Sequence, residues 1–499
     1  MEADVLVVGA GPTGLMLANQ LARRGVRALI IDRHAGPARE TRALGVQART
    51  MEIYAQLGIV ERALELGHKG IGANIWANGR RAARVPIGET GRGATPYPYI
   101  FFLGQDDNER LLGERLRDFG MAVQWNTELV KLEQHADHAV ATLTQSGGST
   151  REIRAAWVAG CDGARSAVRE LNGIGFPGAP YEHVFFVADV AASGPMVPGE
   201  LNVFLWRLRF HAFFPMRGEN HWRIVGILPD ELTDRKDATF EDVLPYLRSE
   251  WRTELTVTKC TWFSTYRIHH RAAARFRKER CFLLGDAAHV HSPVGAQGMN
   301  TGLQDAYNLG WKLALVTQGK ADAALLDSYE AERVPVAQRL LETTDRAFRL
   351  VVSDSWLAGF ARTQLVARIA AFALGFPRVR RFAFSTVSQL GIHYRASPLS
   401  LTLEGIPAGA PRAGDRFPWV NDLLPKLGDL HFHLLAIGQP APAVSHGLLK
   451  IWSIPADENL PAPSFYLLRP DGHVGLCGTK PDPGTITSYL RRQLTLAAQ

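Results

Sequence analysis

The segment Val5-Leu6-Val7-Val8-Gly9-Ala10-Gly11-Pro12-Thr13-Gly14 opens the pattern that decides the fold. Its apolar run predicts a buried strand, which the glycine cluster ends. A helix and a second strand follow, and the second strand closes on Asp32. Gly9 allows a tight turn, Gly11 lets the backbone approach a pyrophosphate, and Gly14 permits close helix–strand packing. Because Asp32 lies 23 residues beyond Gly9, near the spacing of a ribose-binding carboxylate, the segment predicts a dinucleotide-binding unit.

A second segment, Phe282-Leu283-Leu284-Gly285-Asp286-Ala287-Ala288-His289, places a Gly-Asp pair at the end of a short apolar strand. A turn rich in Gly and Pro follows, and a helix is predicted to begin near Asn300. Asp286 is placed to accept hydrogen bonds from sugar hydroxyls. The N-terminus of the helix offers free N–H groups and a partial positive charge. For this segment taken alone, an ordinary turn is the alternative.

A third segment, Gly160-Cys161-Asp162-Gly163-Ala164-Arg165-Ser166, follows an apolar run and repeats the strand-end carboxylate. Taken alone, it is equally explained by a strand, a turn and a helix that Asp162 caps. The order of the three segments along the chain is what favours a cofactor site.

Together these segments resemble the group A flavoprotein monooxygenases, the aromatic hydroxylases related to para-hydroxybenzoate hydroxylase and phenol hydroxylase. The resemblance covers about residues 1–345 and includes Arg42, residues 49–52 and Gln105. It implies that FAD is bound at Gly9, Gly11, Pro12, Thr13, Gly14, Asp32, Arg33, Arg42, Gln105, Asp162, Gly285, Asp286, Pro293, Gly298, Met299 and Asn300.

The resemblance also implies the reaction. NADPH or NADH reduces the flavin from near Asp162, where Arg42 and Arg165 offer positive charge. Reduced flavin then adds dioxygen, and the resulting hydroperoxide transfers oxygen to an electron-rich ring. The many aromatic residues and the few obvious carboxylate-binding arginines favour a phenolic or quinoid substrate that is polycyclic and polyketide-like. Baeyer–Villiger oxygenation, antibiotic inactivation and a reductase without oxygen transfer remain as alternatives.

The composition is typical of a globular α/β enzyme, with 499 residues, 46% hydrophobic, 21% charged and 47 glycines. The net charge of +7 includes no block of five or six like charges, which favours anionic cofactors over nucleic acid. Four widely spaced cysteines form no CxxC pair, which predicts reduced thiols in a cytoplasmic protein. The early first strand leaves no room for a signal peptide, and no apolar run is long enough to span a membrane.

The cofactor segments are separated along the chain, which predicts an inserted domain. The resemblance implies an α/β fold with a Rossmann-like, GR2-type FAD-binding domain, an inserted antiparallel-sheet substrate domain and a C-terminal thioredoxin-like domain. Alternating aromatic and β-branched residues over 181–230 predict antiparallel strands with a hairpin turn at 217–220. The predicted domains are FAD-binding 1–75, 98–175 and 272–345, substrate-binding 76–97 and 176–271, helical connecting 346–398, and C-terminal 399–499.

The last hundred residues predict a small α/β unit. Strands are expected over 431–437 and 448–454, with a hairpin over 464–477. The run Leu468-Arg469-Pro470-Asp471-Gly472-His473-Val474 is similar to the ending of the phenol hydroxylase branch. Because the unit lacks CxxC, we predict a structural or dimer-forming role, in a monomer or a homodimer. A chain cut near Gly409 is expected to keep FAD binding.

No motif identifies the group that activates the substrate. His211, Tyr99 and Arg209 are candidates, although a lone His in an aromatic strand is more often a core or surface residue. His289 and His291 lack the accompanying Cys or carboxylate spacing of a metal site, so no metal is predicted.

Overall fold

The computed structural model describes residues 2–38, 43–206, 210–235, 237–251, 254–291, 296–352, 376–420, 423, 427, 430–456 and 460–497. Elements are numbered in chain order. The strands are β1 (Ala3–Val8), β2 (Ala28–Ile31), β3 (Gly45–Val46), β4 (His68–Gly70), β5 (Ala73–Ala77), β6 (Arg80–Val85), β7 (Ile100–Phe102), β8 (Thr127–Gln134), β9 (Ala139–Gln145), β10 (Thr150–Gly160), β11 (Gly178–Ser193), β12 (Leu201–Leu205), β13 (Phe210–Pro215), β14 (His221–Ile227), β15 (Thr256–Ala272), β16 (Arg277–Lys278), β17 (Cys281–Leu283), β18 (His289–Val290), β19 (Leu401–Thr402), β20 (Phe432–Ile437), β21 (Leu449–Ile454), β22 (Ser464–Leu468) and β23 (Val474–Gly478).

The helices are α1 (Pro12–Ala22), α2 (Ala48–Leu57), α3 (Val60–Leu66), α4 (Ile87–Thr90), α5 (Gln105–Asp118), α6 (Ala167–Leu171), α7 (Phe240–Trp251), α8 (Gly298–Thr317), α9 (Asp327–Val352), α10 (Pro377–Val387) and α11 (Pro483–Arg492). Short 3₁₀ turns cover Asp230–Leu232, Gly285–Ala287 and Ala323–Leu326.

The first sheet has the strand order β16-β17-β10-β1-β2, and β9 and β8 extend it beside β10. β1 runs parallel to β2 and β10, and β10 runs parallel to β17. The apolar run of β1 is buried because helices α1, α5 and α8 pack together beside the sheet, in one continuous hydrophobic core. This mixed α/β arrangement is the one that the N-terminal segment predicts.

The second sheet has the order β18-β15-β11-β14-β13-β12-β5-β6 and is antiparallel except between β12 and β5. Its two faces follow the strand alternation. One face packs on α7 and buries Phe186, Phe213 and Trp222. The opposite face carries Phe185 and Ile227. The predicted hairpin turn at 217–220 joins β13 to β14.

The third sheet, β19-β23-β22-β20-β21, is formed by the last hundred residues. β20 is parallel to β21 and antiparallel to β22, and β22 forms a hairpin with β23. Part of its hydrophobic core is shared with a helix that packs beside the first sheet, since Trp311 of α8 packs among Leu434, Phe465 and Leu467. The predicted strands are confirmed within one residue at each end. Of the predicted connecting region, residues 353–375 lie outside the described residues.

Cys161, Cys281 and Cys477 are buried free thiols, and Cys260 is a half-buried one. In the part of the chain that the structure describes, no helix has the length and apolarity needed to cross a bilayer.

Candidate active site

Four loops that carry predicted cofactor residues leave the same edge of the first sheet. β1, β2, β10 and β17 are mutually parallel, so their carboxyl ends lie side by side. Gly9 follows β1, Asp32 follows β2, Asp162 lies just beyond β10, and Gly285 lies just beyond β17. In open α/β sheets, ligands bind in the crevice outside the carboxyl ends of the strands. The structure therefore brings these predicted residues to one candidate site.

The glycine turn after β1 is shaped by close backbone contacts. Gly9 has φ of +99°, and a Cβ there would collide with the carbonyl of Cys161 at the end of β10. A Cβ on Gly14 would collide with the carbonyl of Gly9. Gly11 differs, because a Cβ on Gly11 would meet no atom within 4 Å. The turn is thus tight on its inner side and open at Gly11, where a ligand can approach the backbone.

Helix α1 begins directly at this opening. Gly11 is its N-cap, Pro12 occupies the first turn, and no described side chain caps the helix. The N–H groups of the first turn are left for another acceptor, and the helix dipole favours a negative charge there. A phosphate group fits both requirements.

Asp32 ties the end of β2 to the glycine turn. Its Oδ2 accepts the Ala10 N–H at 2.7 Å, and its Oδ1 accepts the His34 N–H at 2.8 Å. His34 Nδ1 also lies 2.8 Å from Oδ1. Arg33 is exposed beside it. Asp32 is therefore fixed at the edge of the site by backbone donors.

Asp162 has an acceptor atom without a partner. Its Oδ2 accepts the Val168 N–H at 3.2 Å, whereas its Oδ1 is buried and accepts no hydrogen bond of standard geometry among the described residues. Burial raises the pKa of Asp162 above its ordinary 3.8, and nearby hydrogen bonds only partly offset this. A buried acceptor without a donor costs free energy. A hydroxyl group of a bound ligand is the kind of donor that would satisfy it.

The turn Gly285–Ala287 packs against the glycine turn, and we call it the flavin turn because the sequence predicts that it lies at the flavin. Gly285 has φ of +57°, and a Cβ there would lie 2.6 Å from Thr13 Oγ1. A Cβ on Gly302 of α8 would also collide with this hydroxyl. Thr13 thus lies between the flavin turn and α8, and Asp286 is exposed at the tip of the turn.

Asn300 was predicted to contact the cofactor, but its side chain is engaged by the protein. Its amide donates to the carbonyls of Gly45 and Ala296, each at 2.8 Å. Its oxygen accepts from the Gln47 N–H and the Thr50 hydroxyl, each at 2.8 Å. These four bonds fill the capacity of an asparagine amide. Asn300 therefore clamps the N-terminus of α8 to β3 and α2.

Met299 and Gly298, which the sequence also predicts at the cofactor, lie next to Asn300 at the start of α8. Met299 Sδ accepts from Asn108 Nδ2 at 3.3 Å, and Gly298 begins α8 beside His291. Arg42, Pro293 and Arg209, which the sequence also singled out, lie outside the described residues.

Gln105 begins α5 and donates to Glu109 at 2.9 Å. Glu109, which sequence reasoning missed, also accepts the Ala38 N–H at 2.7 Å. It is buried, and burial raises its pKa. The spacing of four residues on one helix is the signal that pairs Glu109 with Gln105.

His211 lies on the α7 face of the second sheet. It is 2% exposed, and its ring packs edge-on against Trp251. Its Nε2 lies 3.7 Å from Glu250 of α7. The structure therefore places His211 in the core between sheet and helix, away from the face that carries Phe185.

Tyr99 precedes β7 and belongs to the hydrophobic core that surrounds the first sheet. Lys69 Nζ lies 5.3 Å from the centre of its ring. Burial raises the pKa of Tyr99 to about 12, so its hydroxyl is protonated at neutral pH. It is a poor base, although it can still donate a hydrogen bond. In the described ranges, no cluster of His, Cys, Asp or Glu is arranged to hold a metal ion.

A set of parallel strands whose carboxyl edge gathers a glycine turn, strand-end aspartates and helix N-termini is typical of a dinucleotide-binding protein. Over residues 2–344 the chain matches the family model described as "FAD binding domain", and the chain belongs to that family.

The relatives that match nearly the whole chain include two monooxygenases of Streptomyces. The 6-methylpretetramide 4-monooxygenase of Streptomyces rimosus is 32% identical over 532 residues, covering 98% of this chain and 94% of the relative. The rifampicin monooxygenase of Streptomyces venezuelae is 34% identical over 487 residues, covering 95% of each. Among solved structures, aklavinone-11 hydroxylase in complex with FAD and aklavinone has a TM-score of 0.77 at 28% identity, covering 99% of both chains. The protein is an FAD-dependent aromatic monooxygenase of class A, with NAD(P)H as electron donor.

Proposed function

We propose that FAD binds along the carboxyl edge of the first sheet, at the positions that the sequence predicts. Three features of the structure support this fit. Gly11 opens onto free space, the first turn of α1 has uncapped N–H groups, and Asp162 Oδ1 is a buried acceptor. The first two suit a diphosphate and the third suits a hydroxyl donor. Arg42 and Pro293 enter the proposal on sequence alone.

The proposed role of each group follows from its position. The first turn of α1 donates to the diphosphate, and Asp162 accepts a hydroxyl. Asp286, exposed on the flavin turn, accepts a second hydroxyl donor. The N-terminus of α8 offers N–H groups and a partial positive charge to the anionic end of the reduced ring system. When bound and reduced, FAD would supply the chemistry that activates dioxygen, one atom of which would go to the substrate while the other leaves as water.

NAD(P)H is proposed to approach near Asp162. Arg165 is exposed there and can attract the negatively charged cofactor. Arg169 is less suited, because its guanidinium donates to the carbonyls of Ala287 and Ala164 and so holds the flavin turn in place.

The substrate is proposed to lie against the face of the second sheet opposite α7. We call five apolar side chains of this face the apolar wall, namely Phe185, Phe210, Phe214, Ile227 and Tyr266; the same face also carries the Asp189–Arg223 ion pair. The wall approaches the first unit at two points. Phe214 contacts Phe102 of β7, and β15 pairs with β18, the strand that follows the flavin turn.

This wall is the observation that carries the substrate proposal. The partly exposed aromatic side chains of the wall, Phe210, Phe214 and Tyr266, favour a fused-ring phenol or quinone, since such a substrate buries more apolar area than a single ring. The substrates in the names of the two relatives and of aklavinone-11 hydroxylase are in keeping with a polyketide-like compound. Exclusion of water by the wall would also protect the activated oxygen.

For the domains, we propose the boundaries that the sequence suggests. The strands of the second sheet come from residues 73–85, 178–272 and 289–290, and the third sheet lies beyond residue 400. The order β21-β20-β22-β23, with a parallel pair, an antiparallel hairpin and α11 after it, supports a thioredoxin-like unit. A GR2-type flavin domain, a monomer or homodimer and a cytoplasmic location complete the proposal.

Isotopic labelling tests the reaction. Turnover of a fused-ring phenol with NADPH under labelled dioxygen should place one labelled atom in a ring hydroxyl and the other in water. The reason is that proximity in a dry site is sufficient for attack on an activated ring. Label in an ester or lactone would establish the Baeyer–Villiger alternative instead. Turnover that continues without dioxygen would establish the reductase alternative and overturn the proposal.

A further inference from the structure

A buried carboxylate holds the flavin turn from behind. Asp305 of α8 accepts the Gly285 N–H at 3.0 Å and lies 2.8 Å from His289 Nε2. Its other oxygen accepts from Arg333 of α9 at 2.6 Å. Asp305 is fully buried, and its interaction with Arg333 and His289 outweighs burial and lowers its pKa, so it is ionised at neutral pH. The backbone of the flavin turn is thus bonded to a buried ion pair.

Arg333 connects this carboxylate to two further elements. Its Nη2 donates to the carbonyl of Thr301 in the first turn of α8 at 3.1 Å. Its Nη1 donates to the hydroxyl of Tyr394 at 2.9 Å. Because a guanidinium is planar and its donors point in fixed directions, Arg333 sets the relative positions of these three partners.

Tyr394 lies against the turn formed by residues 469–473, hereafter the anchor turn, in the C-terminal unit. Its ring centre is 4.4 Å from that of His473, and the Arg469 guanidinium lies 5.4 Å from the Tyr394 ring. The Tyr394 backbone N–H also donates to the carbonyl of Gly414 at 2.7 Å. These contacts fix the position of Tyr394 relative to the C-terminal unit.

The anchor turn is itself fixed by buried charges. Arg469 binds both oxygens of Glu332 on α9, at 2.5 and 3.0 Å, and also binds Asp471. Trp311 of α8 donates to Asp471 at 3.2 Å. Breaking one member of such a buried set leaves an uncompensated charge, so the set holds one arrangement instead of deforming gradually.

We propose that Tyr394, Arg333 and Asp305 are positioning residues that transmit the placement of the anchor turn to the flavin turn. This proposal rests on the proposed role of the flavin turn in FAD binding. It gives the C-terminal unit a part in cofactor binding, although the unit lies outside the cofactor motifs. The unbroken series of contacts runs from the anchor turn through Tyr394, Arg333 and Asp305 to the Gly285 N–H.

The test is Tyr394→Phe in the full chain, with Tyr489→Phe as its matched control. Both substitutions delete one buried tyrosine hydroxyl near the C-terminal unit. The hydroxyl of Tyr394 bonds Arg333, whereas that of Tyr489 donates to the Leu399 carbonyl at 2.6 Å and makes no hydrogen bond to Arg333, Asp305 or the flavin turn among the described residues. A general loss of stability should therefore affect both variants alike.

We expect Tyr394→Phe to raise the FAD dissociation constant about fivefold or more, within the usual range of coupling between sites. In the FAD-free protein, it should also speed hydrogen exchange in a peptide covering residues 283–290. Tyr489→Phe should leave both quantities at their wild-type values. Equal effects of the two variants, or no effect of Tyr394→Phe on either quantity, would overturn the proposal.

Asp286→Ala separates this proposal from the one on which it rests. If Asp286→Ala leaves FAD affinity unchanged, the assignment of the flavin turn to FAD fails. Hydrogen exchange in the FAD-free protein still decides whether Tyr394 positions that turn, because exchange is measured without the cofactor.

Discussion

At the residue scale, we expect Asp162 to make FAD affinity dependent on pH. Burial raises the pKa of Asp162 in the FAD-free protein, and a hydroxyl donated to its Oδ1 would stabilise the carboxylate and lower that pKa. Protonation of the Asp162 carboxylate and binding of FAD therefore oppose each other. FAD affinity should be fully present at neutral pH and should fall as the pH drops through the raised pKa, starting above 3.8.

The measurement is the FAD dissociation constant as a function of pH for the wild type and for Asp162→Asn. The variant should bind FAD more weakly at neutral pH and should lose the acid-dependent decrease. The same acid profile in both proteins would show that another group is responsible.

Local backbone geometry could be predicted from the sequence. The glycines at 9, 11 and 14 act through backbone geometry, which the order of strand, turn and helix already defines. The side chain of Asn300 could not be predicted, because its four partners depend on how β3, α2 and α8 meet in space. His211 shows a related limit. The alternation of side chains along a strand places His211 on the same face of the sheet as Phe213. It does not determine which of the two faces packs on α7.

At the element scale, the four bonds of Asn300 determine where α8 begins. Asn300→Ala should lower the free energy of unfolding by about 2–4 kcal/mol, since it leaves buried donors and acceptors without partners. It should also weaken FAD binding, because the N-terminus of α8 loses its attachment to β3. Urea unfolding and FAD titration measure the two effects.

Asn19→Ala is the matched control for this element. Asn19 is also a buried helical asparagine, but its amide makes two bonds, to the carbonyls of Leu15 and Leu112. The loss of stability should be smaller, about 1–2 kcal/mol, with FAD affinity retained. A larger effect on FAD from Asn19→Ala than from Asn300→Ala would contradict the assigned role.

Elements with strong apolar patterns were predictable in both position and type. The strands at 432–437 and 464–468 are examples, because continuous apolar runs bounded by turn residues leave few alternatives. The length of α9 was less predictable, since Pro335 lies inside it and proline usually ends or kinks a helix. Packing of its buried face on α8 and its buried ion pairs outweigh that penalty.

At the scale of the whole molecule, the structure changes the expectation for a chain cut near Gly409. The sequence suggested that FAD binding would survive, because the cofactor motifs lie upstream. The cut would expose Trp311 and leave Lys312 and Glu332 buried without Arg469. The lost stabilisation is that of the shared hydrophobic core and of the two bonds from Arg469 to Glu332. We now expect the shortened chain to lose its fold and its FAD binding, as circular dichroism and flavin absorbance would show.

A nicked protein is the control for this prediction. A protease site inserted in the exposed segment 405–409 would break the chain without removing the third sheet. The two pieces should stay associated and keep FAD, because the shared core and ion pairs remain. A shortened chain that folds and binds FAD normally would show that the C-terminal unit is independent after all. The sequence could not reveal this dependence, since the contacts of Arg469 span 137 positions along the chain.

The free thiols have a consequence for an enzyme that handles dioxygen. Electrons that reach dioxygen without a substrate end in hydrogen peroxide, which oxidises thiolates far faster than thiols. Burial raises the pKa of Cys161 and of Cys477, and raises that of Cys281 to about 12. Burial also raises the pKa of the half-buried Cys260. At neutral pH these sulfurs stay protonated and are weak nucleophiles, so the fold gives the enzyme a measure of resistance to its own by-product.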